Sequence, residues 1–212
     1  MNESQFTSKH FIVFGVLLFV ALIASINPLE YTSYGLHQIG TVLMLMVLIM
    51  CFKKVGLSFN AFCLYILFLL IHILGAHYLY SYVPYSDWSM HLFGFNLDQS
   101  MGWTRNMYDR LVHISYGLFL YPFFYRLFQV WFPQISSTQR FWLVVQFVMA
   151  TSLIYEWIEW LIAIGLSPEE AENYNGQQGD IWDAHKDILV ATIGSMITGA
   201  FMLYQDKKKA LK

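Results

Sequence analysis

Residues 57–78 read LSFNAFCLYILFLLIHILGAHY, 22 consecutive positions without an Asp, Glu, Lys or Arg. A hydrocarbon core about 30 Å thick is crossed by roughly 17–25 mostly apolar residues of α-helix, so this run predicts a transmembrane helix. Reading outward from it, five further segments meet the same requirement. They cover about 11–26, stopped by Asn27-Pro28; 34–52, ended by Lys53-Lys54; 109–128; 141–166; and 181–204. Composition excludes a soluble domain: 57% of residues are apolar and 12% charged, against about 25% charged in a domain that keeps its surface wet. The expectation is an all-α polytopic membrane protein, a single domain over 1–212 built as a bundle of six transmembrane helices.

The first segment opens at Lys9 and ends near small residues, Ala21, Ala24 and Ser25, as a cleaved signal peptide does. Only one basic residue precedes it, Glu3 opposes that charge and Pro28 follows, which favours an uncleaved helix. Orientation follows from Lys and Arg, which accumulate on the cytoplasmic side. With the N-terminus inside, the cytoplasmic segments hold Lys9, Lys53, Lys54, Arg126, Arg140, Lys207, Lys208, Lys209 and Lys212, and the outer ones Arg105, Arg110 and Lys186. Nine against three places both termini in the cytoplasm. Tyr78, Tyr80, Tyr82, Trp103, Tyr155, Trp157, Trp160 and Trp182 then form an aromatic belt near the outer interface. A net charge of −2 offers no basic stripe for nucleic acid. Cys51 and Cys63 lie in apolar runs and read as buried small side chains rather than a metal or disulfide pair.

On this topology the intramembrane ionisable residues gather in the outer third. His37 opens helix two, His72 and His77 end helix three, Asp109 and His113 open helix four, Glu156 and Glu159 end helix five. Asp180, Asp183, His185, Lys186 and Asp187 open helix six. Asp109 and His113, four apart, share a helix face, as do Glu156 and Glu159, with Ser152 one turn below. Asp180, Asp183 and Asp187 form a stripe continued by Ala191, Ser195 and Gly199, a small-residue ridge of the kind that lets membrane helices approach closely. His72 and His77, five apart, do not share a face. His10, His91 and His185 read as interfacial.

The outer segment 80–107 carries Trp88, His91, Phe93, Phe95 and Trp103 and is too aromatic for disorder; it is expected to lie on the membrane surface over the cluster, as a lid or an anchor. Ser167-Pro168-Glu169-Glu170 is a capping box with proline at the first helical position, predicting a short surface helix ended by Asn175-Gly176.

Three blocks, Arg105-Asn-Met-Tyr-Asp-Arg-Leu-Val-His113, Tyr155-Glu-Trp-Ile-Glu159 and Gly179-Asp-Ile-Trp-Asp-Ala-His-Lys-Asp187, resemble the signature blocks of the YjdF family, bacterial inner-membrane proteins of uncharacterised function. The resemblance covers essentially the whole chain and implies an inner-membrane location. Asp109 and His113, Glu156, and Asp183 or Asp187 with Gly194 also resemble, in order, the pattern of the VanZ-like superfamily, linked to glycopeptide resistance, which tends to have glutamine where Glu159 stands. Neither resemblance supplies an established reaction.

Four readings of the cluster stand side by side. Asp109, His113, Glu156, Glu159, Asp183 and Asp187 offer an oxygen-rich shell for a divalent metal (zinc, manganese, iron or calcium), which could activate water against a lipid or envelope substrate. Without metal, the same six residues could divide acid and base roles between them, with Arg105 and Arg110 holding a phosphate headgroup and His72 and Asp180 completing the substrate side. Ion or proton transport is a third reading, opposed by a cytoplasmic half with almost no polar steps. The fourth is a structural network in which Asp109–Arg110 and Lys186–Asp187 ion pairs fix helix register.

Overall fold

A computed structural model describes residues 2–210. Among the described residues the helices run α1 Ser8–Ala24, α2 Tyr31–Val55, α3 Phe59–His77, α4 Tyr85–Phe93, α5 Leu97–Met101, α6 Tyr108–Trp131, α7 Ser137–Ile164, α8 Pro168–Asn175 and α9 Asp183–Ala210. One short antiparallel ladder pairs β1 Asn2–Glu3 with β2 Leu57–Ser58, Asn2 opposite Ser58. The chain is therefore all-α in its membrane part. Helices α2, α3, α7 and α9 are long and apolar enough to cross a bilayer, while α1 is apolar but 17 residues long. Helix α6 has the length, 24 residues, but carries Asp109, Arg110, His113 and several tyrosines. It can afford them because it is the most enclosed helix, packed by α9, α3 and α7. Large apolar side chains such as Val42, Met46, Ile49 and Met50 of α2 are exposed instead, the arrangement of a protein solvated by lipid rather than water.

The helix ends are closed by their own side chains. Glu30 accepts from the amides of Thr32 and Ser33 at the start of α2, and Ser136 and Ser167 cap α7 and α8, with Gln139 and Glu170 completing capping boxes. The two amides outweigh the partial burial of the Glu30 carboxyl, and its pKa lies below the usual range. At the far end of α2, Arg126 of α6 donates its Nε proton to Val55 O and Gly56 O at 2.8 Å, a cation set against the negative end of a helix dipole. His10 departs from the interfacial reading: it is fully buried among Phe52, Phe59 and Phe62 and accepts the Thr7 amide on Nδ1 at 3.2 Å, closing the first turn of α1.

Lipid tails are as apolar as leucine, so helices in a bilayer associate by close packing and hydrogen bonds rather than by hydrophobic burial. The α6–α9 pair does both. A Cβ on Gly117 would overlap the carbonyl of Ala191, and one on Gly194 the carbonyl of Ile114; each glycine lets the opposite backbone into contact. Ala191 and Ser195 are fully buried there, so the small-residue ridge of α9 is its packed face. Pro122 interrupts the hydrogen-bond ladder of α6 and leaves Leu118 O without its helical donor. Thr198 of α9 donates to that oxygen at 2.9 Å.

Candidate functional site

Three helices bring carboxylates to the same end of the bundle, opposite the Lys207–Lys209 end of α9. Asp109 stands in the first turn of α6 and Asp183 in the first turn of α9, where a negative charge meets the positive end of each helix dipole. Asp187 lies one turn further along the packed face of α9. Helix α7 arrives from the other direction and contributes Glu156 and Glu159 two turns before its end. Asp180 is not helical: α9 begins at Asp183, and the turn over Gln178 and Gly179, both with positive φ, swings Asp180 back toward α6.

One part of the cluster is neutralised by basic side chains. Arg105 Nη1 donates to Asp183 Oδ1 at 2.7 Å and Gln177 O at 2.9 Å, and its Nη2 to Gly176 O at 3.2 Å. Arg110 Nη2 donates to Asp183 Oδ1 at 2.5 Å and Asp180 Oδ2 at 3.3 Å, while its Nη1 meets Asp187. Lys186 Nζ holds Asp180 Oδ2 at 2.6 Å. That ammonium keeps the Asp180 carboxyl below the usual carboxylate range. Of the neighbour pairs expected from sequence, Asp109–Arg110 is present as a long pair of 3.9 Å, with Arg110 held more closely by α9, while Lys186 turns to Asp180 rather than Asp187. These bonds staple the connector before α9 to the start of α6.

The other part centres on His113 and is matched less closely, Arg110 Nη1 standing 3.9 Å from Asp109 Oδ2. His113 Nε2 is surrounded by Asp109 Oδ1 at 3.6 Å, Glu156 Oε1 at 3.7 Å and Asp187 Oδ1 at 3.9 Å. All three distances exceed a hydrogen bond. Asp109, His113 and Asp187 each offer a ligand atom within 4.8 Å of the others, and all three residues are buried. Glu156 Oε1 is buried without a hydrogen-bond partner, as is Ser152 Oγ one turn along α7. A tetrahedral ion with bonds of about 2.0–2.2 Å holds its ligands about 3.3–3.6 Å apart, somewhat closer than the 3.6–3.9 Å that separate these oxygens from His113 Nε2, so the side chains would draw in on an ion.

Beside this group lies an aromatic and histidine layer. His72 Nδ1 and the Tyr80 hydroxyl are 2.7 Å apart, and His72 Nε2 is 3.2 Å from His37 O. His37 stacks on Tyr174 of α8 with ring centroids 4.5 Å apart. Tyr80 reaches this position because Leu79 and Tyr80 both adopt positive φ, folding the ring back over Gly75, where a Cβ would come within 2.7 Å of it. Below the layer a cavity of about 410 Å³ extends between α2, α3, α6 and α7, with Asp109 and His113 in its wall.

The family comparison agrees with this architecture. A family described as "Predicted membrane protein (DUF2238)" matches residues 9–208. The chain belongs to the DUF2238 family. It is also 25% identical over 187 residues to the "Inner membrane protein YjdF" of Escherichia coli (strain K12), covering 88% of this chain and 85% of that one. No solved structure matches.

In this DUF2238 member, then, Asp109, His113 and Asp187 come together with Glu156 beside them, while Asp183 is engaged by both arginines and Glu159 stands outside the ligand group. Arg105, Arg110 and Asp180 are committed to one another. His72 faces the cavity through its pairing with Tyr80, and His77 turns away to Ala24 O at 2.8 Å. Tyr80 is 4% exposed, not part of an interfacial belt. Segment 80–107 holds α4 and α5, which pack on each other and leave Leu92 and Phe93 exposed; its first residue, Tyr80, lines the cavity together with Tyr174. From sequence Tyr80 falls in the belt and Tyr174 has no role; Gly75, five residues before Tyr80, is the local signal that a ring would need that space.

Proposed function

We propose that this chain is a six-span bacterial inner-membrane protein with both termini in the cytoplasm, whose outer end carries a divalent-metal centre acting on an envelope substrate. Helices α1 and α6 join the four long apolar helices as crossings, and the nine-to-three distribution of Lys and Arg supports the orientation. Similarity to the Escherichia coli inner-membrane protein supports the location.

The observation that carries the metal reading is the set of three carboxyl oxygens 3.6–3.9 Å from His113 Nε2. Arg105, Arg110 and Lys186 hold Asp180, Asp183 and Asp187 closely, and Arg110 reaches Asp109 only at 3.9 Å, so the Asp109 and Glu156 carboxylates are incompletely matched in a buried setting, where an unmatched ion is strongly disfavoured. A divalent cation supplies it. Asp109, His113 and Asp187 are the ligands, with Glu156 on the fourth side. Arg110 holds Asp187 through Oδ1, the same oxygen that faces His113, so the second carboxylate oxygen or a shift of the guanidinium would complete the ligand set. An imidazole among carboxylates suits zinc, manganese or iron better than calcium. With an open position such an ion lowers the pKa of bound water and makes it a nucleophile.

Elemental analysis of the detergent-purified protein tests this, beside Asp109→Asn and Glu156→Gln variants that retain the wild-type elution profile. About one metal per chain, lost in Asp109→Asn, is expected. No bound metal after exposure to zinc, manganese, iron and calcium would remove the reading, and a metal-free acid–base site centred on Glu156 would take its place. Reporter fusions at residues 95 and 210 check the topology: outside for the first, inside for the second.

A further inference from the structure

The cavity beside the cluster has a shape and setting that a water-borne ligand does not need. Its wall is almost wholly apolar, built from Leu43 and Val47 of α2, Phe68 of α3, Leu120 of α6 and Ile158 of α7 among others. Its polar side chains lie mainly toward one end, where Asp109, His113, His37 and His72 line it. Asp109 and Phe124 of the same helix both line the wall, fifteen residues apart, so the cavity runs about 22 Å along α6 at 1.5 Å per residue. One leaflet of a bilayer contributes about 15 Å of hydrocarbon. Its volume falls in the range of about 300–1,000 Å³ typical of ligand pockets.

The way in is from the flank. Leu43, Val47 and Ile158 line the cavity and are also 40–56% exposed on the outside of the bundle. Helix α2 packs on α3, lightly on α6 and α8, and barely meets α7. The opening between α2 and α7 therefore faces the surroundings of the apolar helix flanks, which in a membrane are lipid chains.

We infer that this cavity seats one acyl chain of an outer-leaflet phospholipid, which makes the substrate of the neighbouring centre lipid-borne. The headgroup then lies against the Asp109–His113–Asp187 group, where a metal would take its phosphate oxygens; only this contact rests on the metal reading, and the seat for the chain stands on the cavity alone. Because the chain comes from hydrocarbon, no water is released from it on entry. Selectivity comes from fit and from the headgroup rather than from chain hydrophobicity.

The test uses the full chain in vesicles of phosphatidylethanolamine and phosphatidylglycerol, with a trace of phosphatidylglycerol bearing a diazirine halfway along one acyl chain. After irradiation, peptide mapping is expected to find adducts concentrated on Leu43, Val47 and Leu120. Gly40 lines the cavity and a Cβ there meets nothing within 4 Å, so Gly40→Phe obstructs the seat without a backbone clash and should abolish the Leu120 adduct. Val47→Trp at the opening should do the same and serves if Gly40→Phe does not fold; Gly15→Phe on α1 should change nothing. Adducts spread evenly over exposed flanks such as Leu18, Phe19 and Leu22, unaltered by either obstructing variant, would overturn the inference. Asp109→Asn separates the two proposals: it should lose the metal and keep the Leu120 adduct. A wild-type protein with adducts but no metal would remove the metal centre alone.

Discussion

Replacing Thr198 with Val isolates one hydrogen bond whose weight follows from a missing proton elsewhere. Pro122 has no N–H, so Leu118 O has no donor within α6, and Thr198 Oγ1 supplies one from α9 at 2.9 Å. A buried carbonyl left without a partner costs about 1–3 kcal/mol. Interhelical hydrogen bonds in membrane proteins average about 0.6 kcal/mol and reach about 1.7 kcal/mol, because a released group commonly finds another partner. Here proline removes the nearest alternative, so Thr198→Val should lie at the upper end, about 1.5 kcal/mol. In a Pro122→Ala background the backbone amide at 122 can serve Leu118 O, and the same substitution should cost about 0.5 kcal/mol or less. Reversible unfolding by SDS in mixed micelles, run on all four proteins of the cycle, should give a coupling of about 1 kcal/mol. Equal costs in both backgrounds would refute the reasoning, since Thr198 would then act through something other than the donor that proline lacks.

Other outcomes follow from the packing and the ion pairs. Gly117→Ala forces the α6 and α9 backbones apart and should destabilise the bundle by about 1–3 kcal/mol in the same assay, whereas Gly15→Ala on the open face of α1 should not. Arg110→Met leaves Asp183 to Arg105 but strands Asp187 and should cost about 3–5 kcal/mol, partly restored by adding Asp187→Asn; no restoration would mean that Arg110 acts by packing alone. Asp180 has a folded pKa depressed chiefly by Lys186, so the stability it contributes is full above the unfolded value near 4 and disappears as pH falls through the lower folded one. A tryptophan-fluorescence titration should therefore show the Asp180–Lys186 turn loosening only below about pH 4, and Lys186→Met should move that step upward. Gly75→Ala collides with the Tyr80 ring, and should expose Tyr80 to chemical modification while leaving the helix content unchanged by circular dichroism.

The helices were legible because a span must be apolar over its whole length, and segments such as 57–78 admit no other reading. The packed face of α9 was legible for a related reason: aspartates and small residues at intervals of three and four cannot all face lipid. That Asp109, His113, Glu156 and Asp187 would meet was implied by placing them at one membrane depth. Their division into neutralised and unmatched groups was not, since Arg105 and Arg110 reach partners more than seventy residues away and local spacing pointed to adjacent pairs instead. Tyr80 was misplaced because its position depends on two left-handed residues that carry no glycine signature. Helices α4 and α5 are too short for apolar periodicity to register. The cavity belongs to four helices at once, and no one segment records it.

The spread of ionisable side chains along the three helices of the site has an energetic consequence. Residues 114–125 of α6, 141–155 of α7 and 188–205 of α9 contain no Asp, Glu, Lys, Arg or His, and the space between them is filled by Tyr121, Phe123 and Val148 among others. A proton or cation reaching His113 from the acidic end must leave by the same route. A charge carried across the whole membrane would gain or lose about 2.3 kcal/mol per 100 mV, but one that stops at this depth crosses only a fraction of the field. A centre at that depth would couple only weakly to the membrane potential.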